Sequence, residues 1–262
     1  MSRICPLYSG STGNSTYIGT QNGGILVDAG ASMKGLCAAI EKAGGDYKEI
    51  KAIAVTHEHT DHIKGLRVFL SKTDAKLIAS EKTLDTLISM NIVPENTQTI
   101  AIDNKAIDID GILVNRFATS HDCDGSSGYS FILPDSKKVT VCTDLGTVTD
   151  EVRGAINGSD VLLFESNHDI DMLKRGPYPP LLKVRIMSDK GHISNVSCAA
   201  ELPKFLKSGT LRFILGHLSQ KNNTSVLAKS CAEAALMDIG AQNGKDYILN
   251  VANVTDNGVM VF

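Results

Sequence analysis

Residues 57–62 read HEHTDH, which puts three histidines and an aspartate within six positions of a chain that has only seven histidines. The segment follows the apolar run KAIAVT, a pattern typical of a buried strand. On an α-helix, side chains two positions apart point away from each other, so His57 and His59 could share one metal ion only on extended chain. We therefore predict a strand-to-loop turn in which His57 and His59 face one ion and Asp61 and His62 face a second. The alternative interpretation is a solvated polar loop.

Short apolar runs and helical patterns alternate along the chain and predict an α/β fold. Runs typical of buried strands are found near residues 24, 51, 126, 137, 160 and 211, and helical periodicity is found at 32–43, 81–90, 148–157, 194–205 and 225–237. With 262 residues, 42% of them hydrophobic, we expect one domain spanning 1–262. Residues 168–190 are predicted to be a basic insertion in that domain. The prolines and the glycine of its segment 174–183 oppose both a helix and a central strand.

Titratable side chains follow the predicted strands at the point where each strand ends. Asp28 ends the run ILVD, Asp144 ends VCTD, and Glu165 ends LLFE. His57 and His217 come directly after AVT and FILG. Ligands of α/β proteins gather where the carboxyl ends of strands open into loops, so these side chains indicate a site at that edge.

Composition indicates the cellular location of the protein, the redox state of its cysteines and the limits of what its net charge can decide. The sequence has no apolar run of roughly 20 residues and no basic-then-apolar order in residues 1–10, so we expect a cytoplasmic protein with no membrane partner. The six cysteines are scattered without a CxxC pair, which predicts reduced side chains and no disulfide framework. The formal charge of −3 does not decide for or against a polyanionic partner, because binding depends on where positive charges cluster. The sequence leaves the oligomeric state open.

HEHTDH resembles the HxHxDH signature of the metallo-β-lactamase superfamily. Further motifs of that superfamily follow in order: LVDAG with Asp28, ATSHD with His121, CTDLG with Asp144, and LGHLS with His217. The resemblance implies an α/β fold of the four-layer αβ/βα sandwich type and a hydrolytic site with two divalent metal ions. It assigns His57, His59 and His121 to one ion, Asp61, His62 and His217 to the other, and Asp144 to a bridge between them.

The implied ligands suit zinc or manganese, and the sequence does not choose between them. In this interpretation the two ions share an activated hydroxide and clamp the oxygens of the ester under attack. Asp61 is expected to act in catalysis as well as in metal binding. Asp28 is expected to orient one of the ligands, or else to be a turn aspartate after a strand.

SDKGHIS places His192 one strand-loop unit after Glu165 of FESNHD, an arrangement similar to the nuclease branches of the superfamily. There a histidine paired with a glutamate protonates the leaving oxygen, since a carboxylate partner orients an imidazole and raises its pKa. Two alternatives stay open. His192 could be a surface residue at the start of a helix, and Glu165 could be a buried ion-pair partner.

Features outside the metal ligands indicate the substrate. Basic residues of 174–190 could neutralise phosphates, although an ordinary solvated surface looks the same. Tyr178 of GPYPP could stack on a base or simply pack under the loop. The turn YSGSTGNST could hold an anionic oxygen on its backbone amides. The predicted substrate contacts are Ser11, Asn14, His168, Lys183, Arg185 and Lys190.

The YSGSTGNST turn, ESNHDIDMLKRGPYP and GHISN together resemble the WalJ/YycJ branch of the superfamily. This resemblance implies a metal-dependent exonuclease that degrades DNA from the 5' end, using a hydroxide bound by two metals. Two alternatives stay open. One is a hydrolase of the same superfamily that acts on a small cyclic phosphodiester or a thioester. The other is a binding module that metal stabilises and that has no catalytic activity.

Overall fold

A computed structural model describes residues 1–103 and 105–262. In these residues the chain forms two seven-stranded β-sheets and a set of helices. The strands are β1 (Arg3–Tyr8), β2 (Ser15–Thr20), β3 (Gly23–Val27), β4 (Ile50–Ala54), β5 (Lys76–Ala79), β6 (Thr99–Ala101), β7 (Ile107–Ile109), β8 (Ile112–Ala118), β9 (Ser127–Ile132), β10 (Lys138–Cys142), β11 (Val161–Glu165), β12 (Arg212–Gly216), β13 (Ile248–Val251) and β14 (Met260–Val261). The helices are α1 (Met33–Lys42), α2 (Thr60–Ile63), α3 (Leu66–Leu70), α4 (Glu81–Ser89), α5 (Asp150–Ile156), α6 (Ile170–Arg175), α7 (Pro180–Ile186), α8 (Asn195–Lys207) and α9 (Ser225–Met237).

The two sheets have the same internal plan. The spatial order of the first is β14-β1-β2-β3-β4-β5-β6, and that of the second is β13-β12-β11-β10-β9-β8-β7. In the first sheet β3 to β6 are parallel, and in the second β10 to β13 are parallel. Each parallel set therefore opens its carboxyl ends at one edge of its sheet, where ligand sites form in α/β proteins.

Apolar side chains fill three layers of core. One cluster lies between the sheets and includes Ile18 and Phe131, both fully buried. A second packs the first sheet against α1, α3 and α4, and a third packs the second sheet against α5, α8 and α9. Burying one such side chain contributes about 1.5–3 kcal/mol. The order helix, sheet, sheet, helix confirms the predicted four-layer αβ/βα sandwich.

Serine and threonine side chains set the start of five helices. Each accepts a hydrogen bond from the amide three residues later, which satisfies a donor that has no partner within the helix. The capping residues are Ser32, Ser80, Thr149, Ser194 and Thr224. These helices confirm the five predicted from periodicity, with α5 two residues shorter at its start and one at its end than the predicted 148–157.

The segment 174–183 differs from the prediction. We expected its prolines and glycine to exclude a helix, but α6 ends at Arg175 and α7 begins at Pro180. Proline is tolerated at the first helical position because its missing amide proton would have no partner there. The glycine and the other prolines lie in the short connection between the two helices. The assignment of 168–190 as an insertion in one domain stays a prediction.

Each of the six cysteines is free, in agreement with the expected reduced state. In the part of the chain that the structure describes, no helix is long and apolar enough to cross a membrane.

Candidate metal centre and its cleft

The site lies where the parallel strands of both sheets end. Asp28 follows β3 and His57 lies three residues after β4, while Asp144 and His217 follow β10 and β12. Asp28, Asp144 and His217 have left-handed backbone conformations, with φ of 63°, 59° and 54°. A side chain other than glycine in this region costs of order 1–3 kcal/mol, and such strain is concentrated at functional sites. The strain turns each chain sharply, so that the side chain just after the strand points into the site.

The HEHTDH segment forms the predicted turn. The chain stays extended through His59, whose φ and ψ are −61° and 144°, and α2 then begins at Thr60. His57 Nε2 and His59 Nδ1 lie 3.0 Å apart, as expected for two ligands of one ion. The helical turn carries Asp61 and His62 to a second position, with Asp61 Oδ2 3.6 Å from His62 Nε2.

Five histidines of the site each have one ring nitrogen held by a neighbouring group. This fixes the ring and leaves the other nitrogen for the centre of the site, the usual arrangement of metal-binding histidines. The contacts are His57 Nδ1 with Thr56 Oγ1 (3.0 Å), His59 Nε2 with Cys123 Sγ (3.2 Å), His62 Nδ1 with Asp28 Oδ2 (2.8 Å), His121 Nδ1 with Gly191 O (3.2 Å) and His217 Nδ1 with Glu165 Oε1 (2.8 Å). Asp28 thus holds the ring of a candidate ligand, His62, as the sequence led us to expect.

The structure brings the predicted ligands together in two groups. His57, His59 and His121 offer nitrogens within 4.8 Å of one another, and Asp61, His62 and His217 form a second such group. Asp144 lies between them. Its Oδ2 is 3.5 Å from His62 Nε2, and its Oδ1 is 3.2 Å from His217 Nδ1 and 4.0 Å from His121 Nε2.

Two features show that these residues fit metal ions. Asp144 Oδ2 is buried and has no hydrogen-bond partner among the described residues. A buried carboxylate oxygen without a partner is costly, and a cation would remove that cost. The facing nitrogens of His57 and His59 are the second feature. Thr56 donates its hydroxyl proton to Asp28 and so accepts from His57 Nδ1, which leaves His57 Nε2 as a lone pair.

Burial and charge set the protonation of the ligands. Burial lowers the pKa of His57 well below its usual value and lowers the pKa of His121 as well, which favours the neutral imidazole that binds metals. Burial alone would raise the pKa of Asp144, but the surrounding histidines outweigh it and hold that pKa well below its usual value. At His62 burial is outweighed by Asp144 and Asp28, which raise its pKa to about 10. The charges that attract a proton at this position also attract a cation.

Glu165 organises the second half of the site. It is fully buried, and its Oε1 accepts from His217 Nδ1 at 2.8 Å and from His192 Nδ1 at 2.9 Å. Its Oε2 accepts from the backbone amide of Ile193 at 3.0 Å. Burial would raise the pKa of Glu165, but His192 and His217 outweigh it and bring that pKa to about 2. Burial is likewise outweighed at His192, where Glu165 raises the pKa to about 9.

A cleft of about 250 Å³ opens above these groups. One side of it is lined by α7 and the connection before it, which contribute Tyr178, Leu182, Arg185 and Ile186. The other lining residues are Ser11, His59, Asp61, His121, Asp122, Asp144, Asn167, Gly191, His192, His217 and Ser219. His192 is 20% exposed and directs the nitrogen opposite Glu165 away from that carboxylate.

The predicted substrate residues of the amino-terminal turn occupy two different places. Ser11 lines the cleft. Asn14 is buried, and its Nδ2 lies 3.1 Å from both Asp61 Oδ2 and His62 Nε2. The amide of Gly10 donates to Asn14 Oδ1 and that of Asn14 donates to the carbonyl of Asp61, so neither is free for an anion. Anion binding by the other amides of the turn stays a prediction. Asn14 supports two of the candidate ligands, and its contact with a substrate stays a prediction.

The remaining predicted substrate contacts also differ in whether they line the cleft, lie on the surface or are buried. Arg185 lines the cleft and donates from Nε to Asp122 Oδ2 at 2.6 Å. Lys183 donates to the carbonyl of Lys174, and Lys190 is exposed at the end of the turn after α7. His168 is buried, and burial lowers its pKa to about 4. Substrate binding by Lys183, Lys190 and His168 stays a prediction.

Several residues of the site were missed from the sequence. Asp122 Oδ1 lies 3.3 Å from His121 Nε2, and Cys123 and Thr56 hold the rings of His59 and His57. Asp122 and Cys123 directly follow His121, and Thr56 directly precedes His57, so adjacency to a ligand was the only signal. Gly191 has no such signal in the sequence, because it acts through its backbone carbonyl and through its lack of a side chain.

Replacing Gly191 by alanine is expected to damage the site, because a Cβ there would overlap the carbonyl oxygens of Arg185 and Ile186. The carbonyl of Gly191, which holds His121, would have to move. We expect a loss of about 1–3 kcal/mol in the free energy of unfolding and a fall in turnover of about ten- to a hundredfold. Urea unfolding and steady-state kinetics measure both.

The matched control is Gly154→Ala. Gly154 lies in α5 with open space around it, so alanine should raise the free energy of unfolding by about 0.5–1 kcal/mol and leave turnover unchanged. Equal effects of the two substitutions would contradict the role given to Gly191.

The fold and the site define a class of protein. A four-layer αβ/βα sandwich with a histidine- and aspartate-rich centre at its strand ends is the architecture of the metallo-β-lactamase superfamily. The sequence model described as "Beta-lactamase superfamily domain" matches residues 24–217, so the chain belongs to this superfamily and is a metal-binding hydrolase. A solved protein of the same fold, YhfI from Bacillus subtilis, superposes with a TM-score of 0.75 over 100% of both chains at 14% identity.

Curated relatives narrow the class to one branch. The chain is 37% identical to Exodeoxyribonuclease YycJ of Bacillus anthracis over 242 residues, which cover 92% of this chain and 91% of the relative. It is 36% identical to Exodeoxyribonuclease WalJ of Streptococcus pneumoniae serotype 2 over 225 residues, which cover 85% of this chain and 83% of the relative. The predicted resemblance to the WalJ/YycJ branch is confirmed.

Proposed function

We propose that this protein is a metal-dependent phosphodiesterase that removes nucleotides from DNA in the 5'-to-3' direction. The observation that carries the proposal is the position of His192 on the cleft wall. Its ring centroid lies 5.1 Å from that of His121 and 5.2 Å from that of His217, and its Nδ1 is bound to buried Glu165. A histidine so placed beside a metal centre can serve the leaving group of an ester. The relatives named exodeoxyribonucleases support DNA as the substrate.

Two divalent cations, zinc or manganese, are proposed to complete the site. His57, His59 and His121 would hold one, Asp61, His62 and His217 would hold the other, and Asp144 would contact both. When bound, such a pair of ions polarises a phosphoryl oxygen and lowers the pKa of a coordinated water.

The side chains around the candidate metal centre have separate roles in accepting a proton, donating a proton and binding the phosphate. Asp61 lines the cleft with its Oδ2 held by Asn14, so its carboxylate is placed to accept the proton of an attacking water. Glu165 keeps the Nδ1 proton of His192, so the proton on Nε2 is the one available to the departing oxygen. Arg185 lies on the wall of the cleft, and the side of its guanidinium that does not contact Asp122 is placed to donate to a phosphate.

A second function is favoured by the size of the cleft. At about 250 Å³ it is smaller than the roughly 300–1,000 Å³ of sites for drug-sized ligands. A cleft of this size suits one nucleotide at a chain end, and it would also suit a small cyclic phosphodiester. A hydrolase of small esters is therefore the alternative.

The proposal predicts that the purified protein with added manganese or zinc releases mononucleotides from the 5' end of DNA. The assay compares strands with 5'-phosphate, 5'-hydroxyl and 3'-labelled ends, and it includes cyclic nucleotides and S-lactoylglutathione. Chelation should abolish turnover, since the protein groups alone do not supply the Lewis acid.

The Asp144→Asn variant, purified in parallel, controls for a contaminating nuclease. Cleavage of cyclic nucleotides or the thioester with DNA left intact would replace the proposal by its alternative. Release from the 3' end would contradict the direction.

A further inference from the structure

The wall of the cleft formed by α7 has an apolar face that hydrolysis does not use. Leu182, Arg185 and Ile186 are spaced at i, i+3 and i+4, so they share one face of the helix, and Tyr178 lies four positions before Leu182. All four line the cleft. The neighbouring Leu181 points away and is 85% exposed. An aromatic ring and two aliphatic side chains therefore face the polar metal centre across the cleft.

This wall is held in place by contacts at both of its ends. After α7, the amide of His192 donates to the carbonyl of Ile186 at 2.9 Å. Before and along α7, Lys183 donates to the last turn of α6 and Arg185 donates to Asp122. Because these contacts fix the helix against the metal centre, little ordering is needed when a ligand packs on the wall.

The ligand that fits must carry a flat apolar group next to a phosphate. Arg185 lies on the same helical face as Leu182 and Ile186, so a phosphate on the guanidinium places the attached group against the apolar side chains. A nucleobase has both the flat surface and the right connection, and any base can stack on an aromatic ring because every base has a flat face. Leu182 and Ile186 have no hydrogen-bonding groups, so they cannot read the edge of a base.

We propose that Tyr178, Leu182 and Ile186 form a subsite for the nucleobase of the terminal nucleotide, and that it accepts all four bases. This inference rests on the proposed function and names the part of the substrate that the α7 wall binds. It explains why an apolar surface lines a cleft whose opposite side is built from charged ligands. It also implies that binding of the terminal nucleotide depends on stacking of its base and not on which of the four bases it is.

The test combines two changes, one in the protein and one in the DNA. The DNA carries at its 5' terminus either a normal nucleotide or a tetrahydrofuran residue that lacks the base. On normal DNA, Leu182→Ala and Tyr178→Ala should each lower kcat/KM by about tenfold, and Tyr178→Phe should lose much less than Tyr178→Ala because the ring is kept. On abasic DNA, the wild-type protein should already be slower by at least that factor, because every contact to the base is lost at once, and the alanine variants should lose nothing more.

Leu181→Ala is the matched control, because it makes the same substitution one position away on the exposed face of α7. It should leave kcat/KM unchanged on both substrates. An equal loss by Leu182→Ala on normal and abasic DNA would overturn the subsite, as would wild-type rates that do not depend on the terminal base. A preference of more than about tenfold among the four terminal bases would contradict the statement that the subsite accepts all four.

The outcomes separate the subsite from the function on which it rests. If the metal-loaded wild-type protein cleaves both DNAs at the same rate, the proposed function stands and the subsite fails. If it cleaves neither DNA, the proposed function fails and the subsite fails with it.

Discussion

Asp144→Asn is expected to lower phosphodiester turnover by roughly a thousandfold and to empty the metal centre. The carboxylate lies between the two groups of candidate ligands, with Oδ2 3.5 Å from His62 Nε2 and Oδ1 3.2 Å from His217 Nδ1. Asparagine keeps the shape but removes the negative charge, and its amide group would present protons where a cation should bind. Metal content per chain and hydrolysis of bis-p-nitrophenyl phosphate measure the two losses.

The melting temperature adds a test that does not depend on catalysis. A ligand that binds only the folded protein stabilises it by about 2.7 kcal/mol at a concentration one hundred times its Kd. The melting temperature of the wild-type protein should therefore rise when manganese or zinc is added, and that of Asp144→Asn should rise much less. In the presence of chelator, the melting temperatures of the two proteins should differ much less than in the presence of added metal.

Asp85→Asn is the matched control, because Asp85 is an exposed residue of α4 that belongs neither to the candidate ligand groups nor to the lining of the cleft. It should retain metal, turnover and the metal-dependent rise in melting temperature. Wild-type metal content in Asp144→Asn would show that Asp144 is not a ligand. Wild-type turnover in that variant would show that catalysis does not depend on the metal centre.

Local patterns in the sequence predicted the layers of the fold, and they indicated the side chains that the structure brings together as candidate ligand groups. HEHTDH holds four candidate ligands within six residues, so their geometry depends mainly on whether the chain is extended or helical there. The periodicity of the longer helices was readable because each buries one face. The strand-end residues were readable because parallel strands bring their ends to one edge.

Contacts that join distant parts of the chain could not be predicted in the same way. His121 is held by the carbonyl of Gly191, 70 residues away, and a backbone carbonyl has no signature in the sequence. Asp122 lies between His121 and Arg185 of α7, a position that depends on how that helix packs. The contact of Lys183 with the carbonyl of Lys174 and the burial of His168 likewise depend on tertiary contacts.

The helix α7 shows how one residue type can support two opposite interpretations. Pro180 opposes a helix that continues through it, but it favours a helix that starts with it. The segment 174–183 offers no further local signal that would decide between these outcomes. Tertiary contacts hold α7 in place: Arg185 donates to Asp122, and the carbonyl of Ile186 accepts from the amide of His192, contacts that local preference does not reveal.

Glu165→Gln is expected to lower the free energy of unfolding by about 3 kcal/mol and turnover by about a hundredfold. Glu165 is fully buried and accepts on both oxygens: from His192, His217 and the amide of Asp144 on Oε1, and from the amides of Ile193 and Leu145 on Oε2. A glutamine must point its NH₂ group at one of these sets. Thermal unfolding in chelator, with a melting temperature lower by roughly 6–12 °C, measures the first effect.

The two orientations of the glutamine have different consequences for function. If the NH₂ group faces Ile193, a buried backbone donor loses its acceptor and stability falls. If it faces His217 Nδ1, that nitrogen must become an acceptor and its proton moves to Nε2, the nitrogen that a metal requires. Metal content at a temperature where the variant is fully folded therefore separates a positioning role from a purely structural one.

Glu81→Gln provides the comparison, since Glu81 is an exposed residue in the first turn of α4 and the same substitution there should change neither stability nor turnover by much. Glu165→Asp keeps the charge with a shorter reach, so it should recover part of the lost stability and metal content. A folded Glu165→Gln protein with full metal content and wild-type turnover would contradict the view that Glu165 fixes His192 and His217. Protonation of the leaving group would then not depend on the contact between Glu165 and His192.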